Sequence, residues 1–282
     1  MRLPTELMIA AALVMAPALA RADEADVHYR QGRALKDTGK TDEAIQEFNK
    51  AIELRGKYAA AEWSLGLTYK MRNQLDQAAE HLEKAAKLEP KTADIHASLG
   101  ITYYGQGKLD QAIVELEKAV ELNPNDSKSQ SSLGKVYREK KDFGKAIPHL
   151  EHAVMLEPKD ADALSNLGVA YRSIKKMDEA EKYLKKAVEL KPDQAVFHFN
   201  LAVVYRRQQK VQEAIAEYER ATKLDAQLAE AHYDLATLYK NDKKNEDAIR
   251  EFNLYLDLVA MKNPKEAEIV RKHVTELGGK PH

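Results

Sequence analysis

The stretch ADIHASLGITYYGQGKLDQAIVELEKAVELNPND, residues 93–126, decides the fold. Its first part, Ala93 to Gly105, carries Leu99, Gly100 and Tyr103 on one helical face. Its second part, Leu109 to Leu122, places Ala112, Leu116, Ala119 and Val120 at helical spacing. Gly100 and Ala112 are small enough to let two helices approach closely, and Pro124 cannot continue the second helix. The stretch therefore reads as a helical hairpin whose apolar face one hairpin alone cannot bury.

The same hairpin recurs along the chain. Gly32, Gly66, Gly100, Gly134, Gly168, Ala202 and Ala236 stand 34 residues apart without insertion. Three residues after each come Leu35, Tyr69, Tyr103, Tyr137, Tyr171, Tyr205 and Tyr239. Twelve residues after each come Ala44, Ala78, Ala112, Ala146, Ala180, Ala214 and Ala248. Four further on are Phe48, Leu82, Leu116, Leu150, Leu184, Tyr218 and Phe252, and four of the repeats close on Pro90, Pro124, Pro158 and Pro192. This pattern resembles the tetratricopeptide repeat over residues 25–262, and it is similar to the exported bacterial members of that family. The expected fold is all-α: a right-handed α-solenoid of seven tandem 34-residue helix-turn-helix repeats, at 25–58, 59–92, 93–126, 127–160, 161–194, 195–228 and 229–262. Stacked neighbours supply the core that each hairpin lacks.

The end repeats depart from the pattern. The first has Gln31, Leu35 and Gly56 where others have Leu, Tyr and Pro, and the last has Tyr255 where others have Ala. Asn263-Pro264 then reads as an N-cap followed by proline at the first helical position. Ala267, Val270, Val274 and Leu277 form a stripe that Gly278-Gly279 ends, so residues 263–282 are expected to be a capping helix and tail. Pro148, inside a second helix, is expected to disturb its turn.

Residues 1–20 read as a cleaved export signal. Arg2 opens it, Leu7 to Ala16 is an unbroken apolar run too short to span a bilayer, and Ala18-Leu19-Ala20 gives a small-x-small cleavage site. Residues 21–24 are a short polar linker. The expected location is the periplasm or the exterior, with no transmembrane span. A lipid anchor at this junction needs a cysteine, and the chain has none.

Composition narrows the chemistry. Basic and acidic residues number 44 and 45, which gives no electrostatic footprint for nucleic acid. The absence of cysteine removes disulfides, thiolate metal sites and a cysteine nucleophile. No Gly-rich phosphate loop or nucleophile elbow is present, so neither an enzyme nor a cofactor is expected. His28, His96, His198 and His232 all fall at the fourth position of their repeats, the mark of a packing role. His149 and His152 lie three apart with no third ligand in view, weak grounds for zinc. Most Asp and Glu are expected on solvated helix faces.

The family resemblance implies that the first helices line a concave groove through their second, fifth, ninth, twelfth and thirteenth positions. Carried onto this chain, that places Trp63, Leu67 and Met71 in a stack on one helix, with Ile101 and Tyr104 beside them on the next. Such an apolar stripe usually marks a contact site. Val169, Phe199 and Val203 form a smaller one. The twelfth positions are Lys36, Lys70, Tyr104, Arg138, Arg172, Arg206 and Lys240, a row of cations suited to an acidic segment or to the helix C-terminal dipole. The expected role is a monomeric, non-catalytic scaffold that binds a peptide or helix of another envelope protein, in assembly of an envelope, secretion, pilus or motility complex. An accessory role in polysaccharide export, or end-to-end self-assembly, are the alternatives.

Overall fold

A computed structural model describes the backbone of residues 5–282 and the side chains of residues 21–282. The export-signal reading of residues 1–20 therefore lies outside the described side chains. Among the described residues there are fifteen helices and no strand. They are α1 (Thr5–Asp37), α2 (Thr41–Arg55), α3 (Ala59–Met71), α4 (Leu75–Leu88), α5 (Ala93–Gly105), α6 (Leu109–Leu122), α7 (Ser127–Glu139), α8 (Phe143–Leu156), α9 (Ala161–Ser173), α10 (Met177–Leu190), α11 (Ala195–Arg207), α12 (Val211–Leu224), α13 (Ala229–Asn241), α14 (Asn245–Val259) and α15 (Pro264–Glu276). No described helix is long and apolar enough to cross a membrane.

The chain divides into two compact units, residues 1–140 and 141–282. In the first, α1 packs on α2, α3 on α4 and α5 on α6, while α2, α4 and α6 each also pack on the helix that follows. In the second, α9, α11 and α13 pack on α10, α12 and α14, with α8, α10 and α12 each packing on the next helix and α15 on α14. Within both units this is the successive pairing of tetratricopeptide solenoids.

Close approach within each pair depends on the eighth position. A Cβ added to Gly100 would lie 2.7 Å from Leu116 Cγ and 3.1 Å from the Ala112 carbonyl oxygen. Leu116 is fully buried, so the helix axis itself would have to give way. Helix α8 runs unbroken through Pro148, so the expected disturbance stays within one turn.

Each pair is joined by a turn whose fifteenth position is left-handed. Glycine fills it at Gly39 and Gly107, but Asn73, Lys141, Lys175, Gln209 and Lys243 adopt φ of 58°, 62°, 65°, 61° and 61°. A side chain with a Cβ is strained there. Lys175→Gly should therefore raise the unfolding free energy by about 0.5–1 kcal/mol, after subtracting the extra entropy glycine brings to the unfolded chain. Urea unfolding of the variant beside the parent measures it; an unchanged or lower midpoint contradicts it.

The fourth-position histidines are structural, and each has a partner that the sequence reading left among the solvated acids. His28, His96, His198 and His232 place Nδ1 at 2.6, 2.6, 2.5 and 2.7 Å from Glu47, Glu115, Glu217 and Glu251 of the second helix in the same repeat. The second repeat swaps the two residues, with His81 Nδ1 2.6 Å from Glu62. Glu62 and Glu251 are only 6% and 7% exposed, so these acids are core groups and not surface ones. The other ring nitrogen of His96, His198 and His232 donates to the carbonyl of Pro90, Pro192 or Ala226 in the loop before the repeat. Gln130 serves the Pro124 carbonyl in the same way at 2.8 Å. One polar side chain thus ties both helices of a repeat to the incoming loop, satisfying groups that burial would otherwise leave unpaired.

Tyrosines join successive repeats. Tyr103 donates to Glu83 at 2.7 Å, and Tyr171 and Tyr239 donate to Glu151 and Glu219. Burial first, then the carboxylate, pushes these phenols above the usual tyrosine range.

The amino-terminal repeat is held by acids that must stay ionised. Tyr58 donates to Asp26 at 2.6 Å, Arg55 pairs with the other Asp26 oxygen at 2.7 Å, and the guanidinium lies 4.2 Å from the Tyr58 ring centre. The Tyr58 hydroxyl and Arg55 hold Asp26 below the usual carboxylate range, while burial and Asp26 push Tyr58 up to about 12. Lys50 and His28 likewise lower Glu47. A carboxylate lowered in the folded state stabilises the fold above its unfolded value and loses that contribution as pH falls through the folded one. Acidification below about pH 4 should therefore loosen this repeat, and Asp26→Asn should flatten its part of the response. Amide exchange of α1 and α2 against pH reports it; equal acid response in parent and variant contradicts it.

Candidate protein-binding face

The face of the first unit is built from α3, α5 and α7. Helix α3 buries Ala61, Leu65 and Thr68 in the core, which turns Trp63, Leu67, Lys70 and Met71 to the other side at helical spacing. Met71 is 62% exposed; Trp63, Leu67 and Lys70 are half-buried. Trp63 Nε1 donates to Ser98 Oγ on α5 at 3.2 Å, and Ser98 in turn donates to the Asp94 carbonyl. The indole is thereby fixed by its polar edge, leaving its ring for contact. On α5, Ile101 and Tyr104 are half-buried. On α7, Lys135 Nζ lies 4.9 Å from the Tyr104 ring centre, and Arg138 donates to Glu139 at 2.7 Å. Helices α3 and α5, and α5 and α7, touch directly. The structure thus places Trp63, Leu67, Met71, Ile101, Tyr104 and Arg138 on neighbouring helices of one unit.

In the second unit the expected stripe is largely closed. Val169 and Val203 are each 8% exposed, on α9 and α11, which pack directly on each other. Phe199 is half-buried, its ring 5.9 Å from that of Tyr218. The valines are thus inter-repeat core rather than an exposed contact stripe, a correction that follows from the close approach of α9 and α11.

The cations of this unit are also engaged. Arg172 donates to Asn200 at 3.3 Å, Arg206 pairs with Asp234 at 3.3 Å, and Lys240 reaches His273 and Glu276 of α15 at 3.0 and 3.4 Å. Asp234 also accepts from the fully buried Tyr218 at 2.7 Å, and burial raises that phenol. Twelfth-position cations here link one repeat to the next. For Arg172 and Arg206 the sequence alone could have shown this by comparing the twelfth position with the residue 28 places on.

Lys70 differs. Among the described residues its ammonium makes no hydrogen bond or ion pair, and burial holds that ammonium below the usual lysine range. Lys70 was legible as one of the twelfth-position cations suited to an acidic segment or to the helix dipole, but its isolation, and the contact of Lys135 with Tyr104, show only once their neighbours are placed. Among the described residues no group of three or more His, Asp and Glu is disposed to hold a metal.

Residues 4–238 match the family model of the cilia and flagella-associated protein 70 C-terminal domain. Among solved structures, YrrB, described as a TPR protein with an unusual peptide-binding site, is 25% identical with a TM-score of 0.54, over 60% of this chain and 88% of its own. MamA is 27% identical with a TM-score of 0.56, over 61% and 94%. Pseudomonas aeruginosa pilF, 23% identical with a TM-score of 0.66 over 76% and 97%, shares the fold. No curated protein matches the chain.

Proposed function

This chain belongs to the cilia and flagella-associated protein 70 C-terminal domain family of tetratricopeptide-repeat proteins, and we propose that it is a non-catalytic scaffold of the cell envelope that binds a peptide or helix of another exported protein. The observation that carries this is the α3–α5–α7 face. Trp63, Leu67, Met71, Ile101 and Tyr104 form an apolar stripe there that the hairpin cores do not use. The peptide-binding site ascribed to the similar YrrB supports a peptide ligand. Repeat arrays present long surfaces of this kind to partners, while fold alone names no partner.

The envelope setting rests on the first twenty residues, with their apolar run and the Ala18-Leu19-Ala20 site. A scaffold in assembly of an envelope, secretion, pilus or motility complex fits an exported interaction module, and the chain is proposed to work as a monomer that engages its partner through the first unit. Expressing the full chain in its own cell, fractionating the cell, and sequencing the amino terminus of the recovered protein tests the setting. An envelope-fraction protein that starts at Arg21 and co-purifies with another exported protein supports the proposal. A cytoplasmic protein that retains residues 1–20 overturns the envelope part of it.

A further inference from the structure

We infer that the α3–α5–α7 face takes an acidic segment of its protein partner, with a partner carboxylate seated on Lys70 and partner apolar side chains against Trp63, Leu67 and Ile101. This deepens the proposed function and rests on it.

The argument starts from what Lys70 lacks. An ammonium carries three donors, and taking it partly out of water without an acceptor costs free energy. Arg172, Arg206 and Lys240, in the same register of later repeats, meet Asn200, Asp234 and Glu276. Lys70 is half-buried on α3 and meets no acceptor among the described residues. Burial holds its ammonium below the usual lysine range, and no carboxylate pairs with it among the described residues. The fold gains no ion pair from this charge, only its favourable place in the last turn of α3.

A second observation lies in the same row. Arg138, two repeats on, gives one nitrogen to Glu139, while its Nε is buried with no acceptor. Between them, in sequence register, stands Tyr104, whose ring already carries Lys135 at 4.9 Å. Arg206 leaves its Nε unpaired in the same way while it pairs with Asp234, so on α3, α5 and α7 it is the Lys70 ammonium, beside an apolar stripe on the same helices, that lacks an acceptor. Trp63 cannot serve an anion through its N–H, since that group is spent on Ser98. The division of labour follows: the indole, Leu67 and Ile101 take apolar groups, and Lys70 takes the carboxylate. A bound acid would be screened by salt less than an exposed pair, because the ammonium is already partly out of water. The apolar stripe favours a protein segment over a polyanion, and the balanced charge of the whole chain gives no broad cationic field.

Selection of a random peptide library on the full chain, followed by fluorescence anisotropy with the selected peptides, tests this. The parent chain should enrich peptides that combine Asp or Glu with large apolar residues. Lys70→Met should weaken such a peptide about tenfold or more, and changing the peptide's acids to amides should cost the parent, but not the variant, a similar factor. The melting temperature of Lys70→Met should stay close to that of the parent, since no intramolecular bond is lost and only a helix-end charge is removed; a large fall overturns the premise that Lys70 is free. Apolar peptides without acid enrichment, bound equally by Lys70→Met yet lost in Trp63→Ala, overturn the acidic partner and leave the binding face standing. Failure to select any peptide, or binding unaffected by Trp63→Ala, overturns both.

Discussion

Replacing His232 by leucine should lower the unfolding free energy by about 3–5 kcal/mol, toward the lower end of that range because Arg250 stays beside the abandoned acid. His232 is 3% exposed and its partner Glu251 7%. The substitution strands the carboxylate with Arg250 Nε at 3.3 Å as its remaining cation and takes the donor from the Ala226 carbonyl. One buried carboxylate loses its closest partner and an exposed loop carbonyl loses its donor. Adding Glu251→Tyr should recover much of the loss. The fifth repeat already carries that combination: Leu164 stands at the fourth position, and Tyr183 packs against its cluster with Ala161, Ala187 and Phe197. Urea midpoints of the parent, both single variants and the double variant form the test. A coupling near zero, or a single variant no less stable than the double, contradicts the paired role.

Trp63→Ala should weaken partner binding by about 2–4 kcal/mol, the range of a central aromatic anchor. The same change removes the indole bond to Ser98 and should cost about 1 kcal/mol of stability. The contrast between the two numbers is the informative part. An anchor shows a large binding loss with a small shift in melting; a core residue shows the reverse. Calorimetric titration with a selected peptide, beside thermal melting of the same samples, separates them. Val203→Ala serves as the comparison, since Val203 is 8% exposed and should lose stability rather than binding.

The features that repeat every 34 residues were legible. The two helices read from residues 93–126 are α5 and α6 with the same bounds, and the Asn263 cap and the Ala267, Val270 and Val274 stripe form α15 on α14. Small residues at the eighth position and large apolar residues sixteen places on declared themselves because packing imposes the same demand in each hairpin. What escaped was pairing between different positions. His96 and Glu115 lie 19 apart, Arg206 and Asp234 lie 28 apart, and each looks alone like an ordinary helix residue. The swap of His and Glu between the first and second repeats, seen in His28–Glu47 against Glu62–His81, further hides the pair from a column-by-column reading. Positive φ at Lys175 and its equivalents was hidden for a different reason, since lysine gives no signal of a left-handed turn. The candidate face was legible in its apolar half, where register places Trp63 above Leu67. Its charged half was legible as a row of twelfth-position cations, but not which of them go unpaired, because the isolation of Lys70 is a fact about neighbours.

A photo-crosslinking side chain at position 71, in the full chain expressed in its native cell, tests the central claim most directly. Met71 is 62% exposed and lies on the same helix as Trp63, so the probe reports on the face without removing its anchor. Position 121, on the exposed side of α6, is the control. The account predicts one protein adduct at 71 that is absent at 121 and disappears in the Trp63→Ala background. Equal adducts at both positions, or an adduct at 71 that survives Trp63→Ala, would contradict a protein-binding face on α3, α5 and α7.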